Sequence, residues 1–147
     1  MIDKKWIGHQ VGQSTLAVER GRLRFFAKAI GEADPIYVDQ AAAQAAGYAD
    51  LPAPPTFLFA AELDSNSMFG LLDQMGIALG RVLHGEQGFE YFEPVVAGDT
   101  VVVTSRVKDI YDKRGGALEF LETESTAVNQ RGATVAKMRG VTVVRNG

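Results

Sequence analysis

Phe57-Leu58-Phe59-Ala60-Ala61-Glu62-Leu63 is apolar on nearly every side, so a helix formed by it has no wet face and must be covered all round. Its approach, Leu51-Pro52-Ala53-Pro54-Pro55-Thr56, is extended, because proline fixes φ and withholds a backbone donor. Ser65-Asn66-Ser67 breaks the run, Met68 to Met75 has room for another turn or two of helix, and Gly76 and Gly80 mark the passage into a sheet. The cover comes from the C-terminal half. Phe89 and Tyr91 alternate with Glu90 and Phe92 before Pro94, Gly98-Asp99 makes a turn, and Val101, Val103, Ser105 and Val107 oppose Val102, Thr104, Arg106 and Lys108. Lys113-Arg114-Gly115-Gly116 reads as a hairpin tip, and strands over roughly 118–128 and 134–144 are separated by the turn Asn129-Gln130-Arg131-Gly132. With a leading strand near Val11 to Val18, the pattern predicts an α+β fold in which a curved antiparallel sheet wraps one apolar helix.

Before that core lie two shorter helical patterns. Leu23, Phe26, Ala27 and Ile30 recur at helical spacing over roughly 19–30, with Glu19 favouring the positive helix start and Gly31 supplying a stop. Asp39 is placed to cap a small-residue helix through Ala46 that Gly47 ends, and Asp34 before Pro35 reads as a turn former. No repeat, low-complexity tract or charge run divides the chain, which reads as a single domain over 1–147.

Composition narrows the chemistry. A chain of 147 residues with 46% hydrophobic content buries a core without staples. Absence of Cys removes disulfides, thiolate metal sites and cysteine nucleophiles together. Lys+Arg 15 against Asp+Glu 18 leaves −3, with no clustered basic face, so nucleic acid is not an expected partner. The polar start Met1-Ile2-Asp3-Lys4-Lys5-Trp6 and the shortness of the apolar runs predict a cytoplasmic protein without a membrane span. His9 and His84 match no metal-ligand spacing, and no serine-hydrolase elbow, phosphate-cradling loop or dinucleotide fingerprint is present, so neither metal nor cofactor is expected.

Gly31-Glu32-Ala33-Asp34-Pro35-Ile36-Tyr37-Val38-Asp39 resembles the active-site segment of the MaoC-like dehydratases, which have the hotdog fold. Ala53-Pro54-Pro55-Thr56-Phe57 and the stretch from Leu83-His84-Gly85-Glu86-Gln87 through Gly98-Asp99-Thr100 resemble the N-terminal-type half of that family. The resemblance runs in order along nearly the whole chain. It implies hydration or dehydration of 2-enoyl and 3-hydroxyacyl thioesters of coenzyme A or acyl carrier protein.

Active members read Gly-Asp-x-Asn-Pro-Ile-His in the first segment, and the Asp and His activate water. Here Glu32 and Tyr37 occupy those positions. A carboxylate one methylene longer can still reach a water, whereas a phenol is a poor base at neutral pH. Pro54 and Pro55 interrupt the stretch that donates to the thioester oxygen in the family, leaving Thr56 or a later amide for that contact. The N-terminal-type half often lacks the catalytic pair and joins a second hotdog that has it. The resemblance therefore implies a homo-oligomer, or a heterodimer with a catalytic MaoC-type subunit.

Each candidate has two readings. Glu32 is a loop carboxylate by spacing and a catalytic base by family position, and Tyr37 is a packing aromatic or an acid. His84 is a strand histidine with local partners or a group that hydrogen-bonds a ligand carbonyl. Pro55, Thr56, Phe57 and Gln87 are the substrate-binding candidates. Phe57, Phe59, Met68, Phe69, Leu71, Leu72 and Met75 form either an acyl tunnel or ordinary core. Three functions remain in view: a hydro-lyase using Glu32, a non-catalytic acyl-binding subunit of a catalytic partner, and a hotdog thioesterase.

Overall fold

Alternation of period two decides the C-terminal half. In the computed structural model, which describes residues 1–146, β1 (Gln10–Ala17), β2 (Val82–Tyr91), β3 (Thr100–Lys113), β4 (Leu118–Asn129) and β5 (Thr134–Arg145) form one sheet of order β1-β3-β4-β5-β2. Every neighbouring pair is antiparallel. Val101, Val103 and Val107 face inward and are buried, and a bulge between Val107 and Asp109 then shifts the phase so that Ile110 is the next inward residue. The β3–β4 hairpin turns where Arg114, Gly115 and Gly116 all have positive φ, a conformation that glycine adopts at least cost.

The N-terminal elements follow their patterns. Helix α1 (Arg20–Ala29) buries Leu23 and Ala27, and Phe26 packs edge-on against Phe57 with ring centroids 5.4 Å apart. Ile30 belongs to the predicted apolar stripe but caps the helix end and stays 49% exposed. In α2 (Gln40–Ala45) the Asp39 carboxylate accepts the Ala41 amide at 2.9 Å.

The apolar run departs from its prediction. Phe57 and Leu58 are buried but lie in the turn before α3 (Phe59–Ser65), within which Ala61 is buried and Leu63 is 50% exposed. Asn66, at φ 52 and ψ 10, then breaks the axis before α4 (Ser67–Gln74). The sheet packs against the two helices, yet Leu63 and Phe69 remain half-exposed, so the helix is not buried all round.

Two apolar cores result. Phe57, Leu58 and Ala61 meet Leu16, Val101 and Met138 in one, and Leu71, Leu72 and Ile77 meet Val107, Leu121 and Val144 in the other. Gly12 lets β1 close on α4, since a Cβ there would stand 2.4 Å from that of Ser67. Among the described residues no helix is long and apolar enough to cross a membrane.

Candidate functional site

Helices α3 and α4 leave a cavity of about 210 Å³ above the sheet. Its walls are mostly apolar: Leu63, Met68 and Leu72 from the helices, Val103 and Val141 from the sheet, with Phe69 and Leu83 also lining it. Mostly apolar walls with a few convergent polar groups are the usual form of a small-molecule site.

The polar groups come from two cross-sheet rows. Ser105 on β3 faces Ser125 on β4, and their hydroxyls lie 2.7 Å apart. Both approach Oε1 of Glu62 on α3, Ser105 at 3.2 Å and Ser125 through a shorter hydrogen bond. One row along, Gln87 on β2 faces Gly140 on β5, which faces Thr123 on β4. Because Gly140 has no side chain, the Gln87 carboxamide lies over it: a Cβ there would sit 3.5 Å from Gln87 Oε1 and 2.9 Å from Thr123 Oγ1. Both polar atoms of that carboxamide are buried and have no hydrogen-bond partner among the described residues. His84 also lines the cavity, is exposed, and meets Phe59 edge-on at 5.4 Å between centroids.

Glu32 and Tyr37 lie together elsewhere. Glu32 follows the end of α1, and its Oε1 accepts the amides of Ala33 at 2.9 Å and Asp34 at 3.0 Å. The Asp34 carboxylate accepts the Ile36 amide at 3.1 Å and so starts the 3-10 turn Pro35–Tyr37. Burial pushes the Tyr37 hydroxyl above its ordinary value, and Glu32, Tyr48 and Asp34 push the same way. At neutral pH Tyr37 is thus a neutral phenol, able to donate a hydrogen bond but unsuited to act as a base. No residue of this loop lines the cavity, so the structure separates Glu32 and Tyr37 from His84 and Gln87.

The remaining candidates sit ahead of α3. Pro55 and Thr56 are exposed, and the Thr56 amide donates to the Tyr91 hydroxyl at 2.9 Å. Phe57 is buried in the first core and its amide donates to the Pro54 carbonyl at 3.1 Å. Both amides are engaged within the chain. Of the apolar group, Phe59, Met68, Phe69 and Leu72 line the cavity, whereas Phe57 and Leu71 fill core.

Glu62, Ser105 and Ser125 were not singled out by sequence reasoning. The signals were a carboxylate inside the most apolar run of the chain and a serine on the inward face of a valine strand.

Residues 5–138 match the family model described as the FAS1-like, dehydratase domain region. A UPF0336 protein from Streptomyces avermitilis is 39% identical over 115 residues, covering 78% of this chain and 77% of that protein. The C-terminally truncated HadBC (3R-hydroxyacyl-ACP dehydratase) complex from Mycobacterium tuberculosis superposes with a TM-score of 0.78 at 22% identity, over 93% of this chain and 96% of that one. A MaoC-like dehydratase gives a TM-score of 0.85 at 24% identity over 97% of this chain, which spans 43% of that longer chain. With the family match running from ahead of β1 into β5, and with neighbours that share the sheet and its helices, the chain belongs to the FAS1-like dehydratase-region family and has the hotdog fold of the MaoC-like dehydratases.

Proposed function

We propose that the chain is the acyl-holding half of a hydro-lyase that interconverts 3-hydroxyacyl and 2-enoyl thioesters of coenzyme A or acyl carrier protein, assembled with a second hotdog that carries the acid–base pair. The observation that carries this reading is the division of the molecule into two parts. The cavity offers apolar walls for a flexible chain, while the loop in the family's catalytic position has Glu32 bonded to its own amides and Tyr37 as a neutral phenol. The description of HadBC as a complex of dehydratase subunits supports the partner and the substrate class. The sheet has edges to offer: among the described residues β2 pairs only with β5 and β1 only with β3, leaving a row of unpaired donors and acceptors on each.

The same loop supports a second reading, because Glu32 and Tyr37 are neighbours and a homo-oligomer with Glu32 as base would need no other subunit. Hydration of crotonyl-CoA and a longer enoyl-CoA decides between them. The pure chain is expected to bind acyl thioesters without turnover, and to support hydration once a subunit bearing Gly-Asp-x-Asn-Pro-Ile-His is added. Turnover by the pure chain that disappears in Glu32→Ala would overturn the divided assignment.

A further inference from the structure

We infer that the cavity receives an acyl group bearing a hydroxyl farther along its chain than the reacting C2 and C3 carbons, and that Glu62 and Gln87 select for that distal hydroxyl. The inference rests on the acyl-binding reading above and deepens it. A plain alkyl chain needs apolar walls alone, and every polar group facing it is a desolvated group left without a partner. This cavity presents two polar groups with unused capacity: Gln87, whose carboxamide is buried and unbonded among the described residues, and the half-buried Glu62, whose Oε2 carries no hydrogen bond among them.

A carboxylate offers about four acceptor positions. Ser105 and Ser125 address Oε1 of Glu62, and no hydrogen bond among the described residues reaches Oε2. Gln87 brings two N–H donors and a carbonyl, all unbonded among the described residues. The positions are close. Glu62 stands on Ser125, and the Gln87 carboxamide lies over Gly140 beside Thr123, two residues from Ser125 on the same face of β4. That strand step is about 7 Å, room for one oxygen hydrogen-bonded from both sides.

The chemistry of the pair identifies the group. Glu62 needs a donor and Gln87 can donate or accept, so a hydroxyl that donates to Glu62 and accepts from Gln87 satisfies both. A ketone or ester oxygen leaves Glu62 unmet. An ammonium pairs with Glu62 but brings a second charge into an apolar cavity, where desolvation costs far more than for a hydroxyl. Gly140 keeps the space open, because a methyl there would press on Thr123 Oγ1 and on the carboxamide.

The test is a ladder of alkanoyl-CoA esters, each paired with its ω-hydroxy counterpart, titrated calorimetrically into the pure chain. At lengths that bring the hydroxyl to the floor, the hydroxylated member is expected to bind about tenfold tighter or more. Gln87→Leu and Glu62→Leu are expected to abolish that preference while retaining the plain esters, and Gln87→Leu to keep or raise the unfolding temperature, since it removes an unpartnered buried group. A purely structural role for either residue would change stability and leave the preference intact. Equal or tighter binding of the plain ester at every length overturns the inference, as does a preference that survives in both variants. Failure of every thioester to bind overturns the acyl-binding reading as well, which separates the two failures.

Discussion

The Tyr91 hydroxyl accepts the Thr56 amide at 2.9 Å and ties the end of β2 to the turn that launches α3. Thr56 has φ 75, a region that costs a β-branched residue about 1–2 kcal/mol. Thr56→Gly is therefore expected to stabilise the chain by about 1 kcal/mol, and Tyr91→Phe to destabilise it by about 0.5–1 kcal/mol. Thermal unfolding of the two variants checks both signs, and a less stable Thr56→Gly would show that the turn is not strained.

Contact between β1 and α4 leaves no room for a side chain at Gly12. A Cβ there would lie 2.2 Å from Ser67 Oγ and 2.4 Å from Ser67 Cβ, so Gly12→Ala is expected to cost about 1–3 kcal/mol. Adding Ser67→Gly removes the obstruction and should recover a large part of that loss. Urea denaturation of the four proteins in the cycle gives the coupling, and strict additivity would refute it.

Separation of the Glu32 loop from the cavity makes a prediction about binding. Glu32→Ala loses two hydrogen bonds to the Ala33 and Asp34 amides in an exposed turn, a cost of about 0.5–1 kcal/mol. Its dissociation constant for an acyl-CoA should equal that of the parent chain. A tenfold weaker constant, measured by calorimetry, would place Glu32 on the ligand.

Acid sensitivity should trace in part to Glu122. Arg139 at 2.8 Å and Lys108 at 3.2 Å hold this carboxylate below its ordinary range, the hydrogen bond from Arg139 being the largest cause. A depressed folded-state value means that the stabilisation is complete above the ordinary carboxylate value and is lost as the pH falls through the folded one. Unfolding temperatures are therefore expected to drop as the pH goes below about 4. Glu122→Gln should lower them at pH 7 and flatten that decline, and a parallel decline in the variant would rule out Glu122 as a contributor.

The strands were legible because Val101, Val103 and Val107 keep one face of an alternating run, and alternation is local. The bulge after Val107 was not, since it depends on the partner strand. The half-exposure of the run from Phe57 to Leu63 escapes the sequence for a related reason: composition states what needs covering and cannot count the elements available to cover it. The polar floor of the cavity was the hardest to see. Glu62, Ser105 and Ser125 are brought together by strand pairing and helix placement across 63 positions of sequence, and each alone reads as ordinary. Glu32 and Tyr37 stand out as departures from a motif, and their separation from Gln87 required the fold.

The strand order also sets a timetable for synthesis. β1 ends at Ala17, but its sheet neighbour β3 begins only at Thr100. At ordinary elongation rates the ribosome takes roughly 4–17 s to make the intervening stretch. Throughout that interval the first strand exists without its neighbour in the sheet, and it can enter the sheet only once β3 has been made. The β3–β4 hairpin, joined by a tight turn, is positioned to form early and to serve as the template on which β1 then settles.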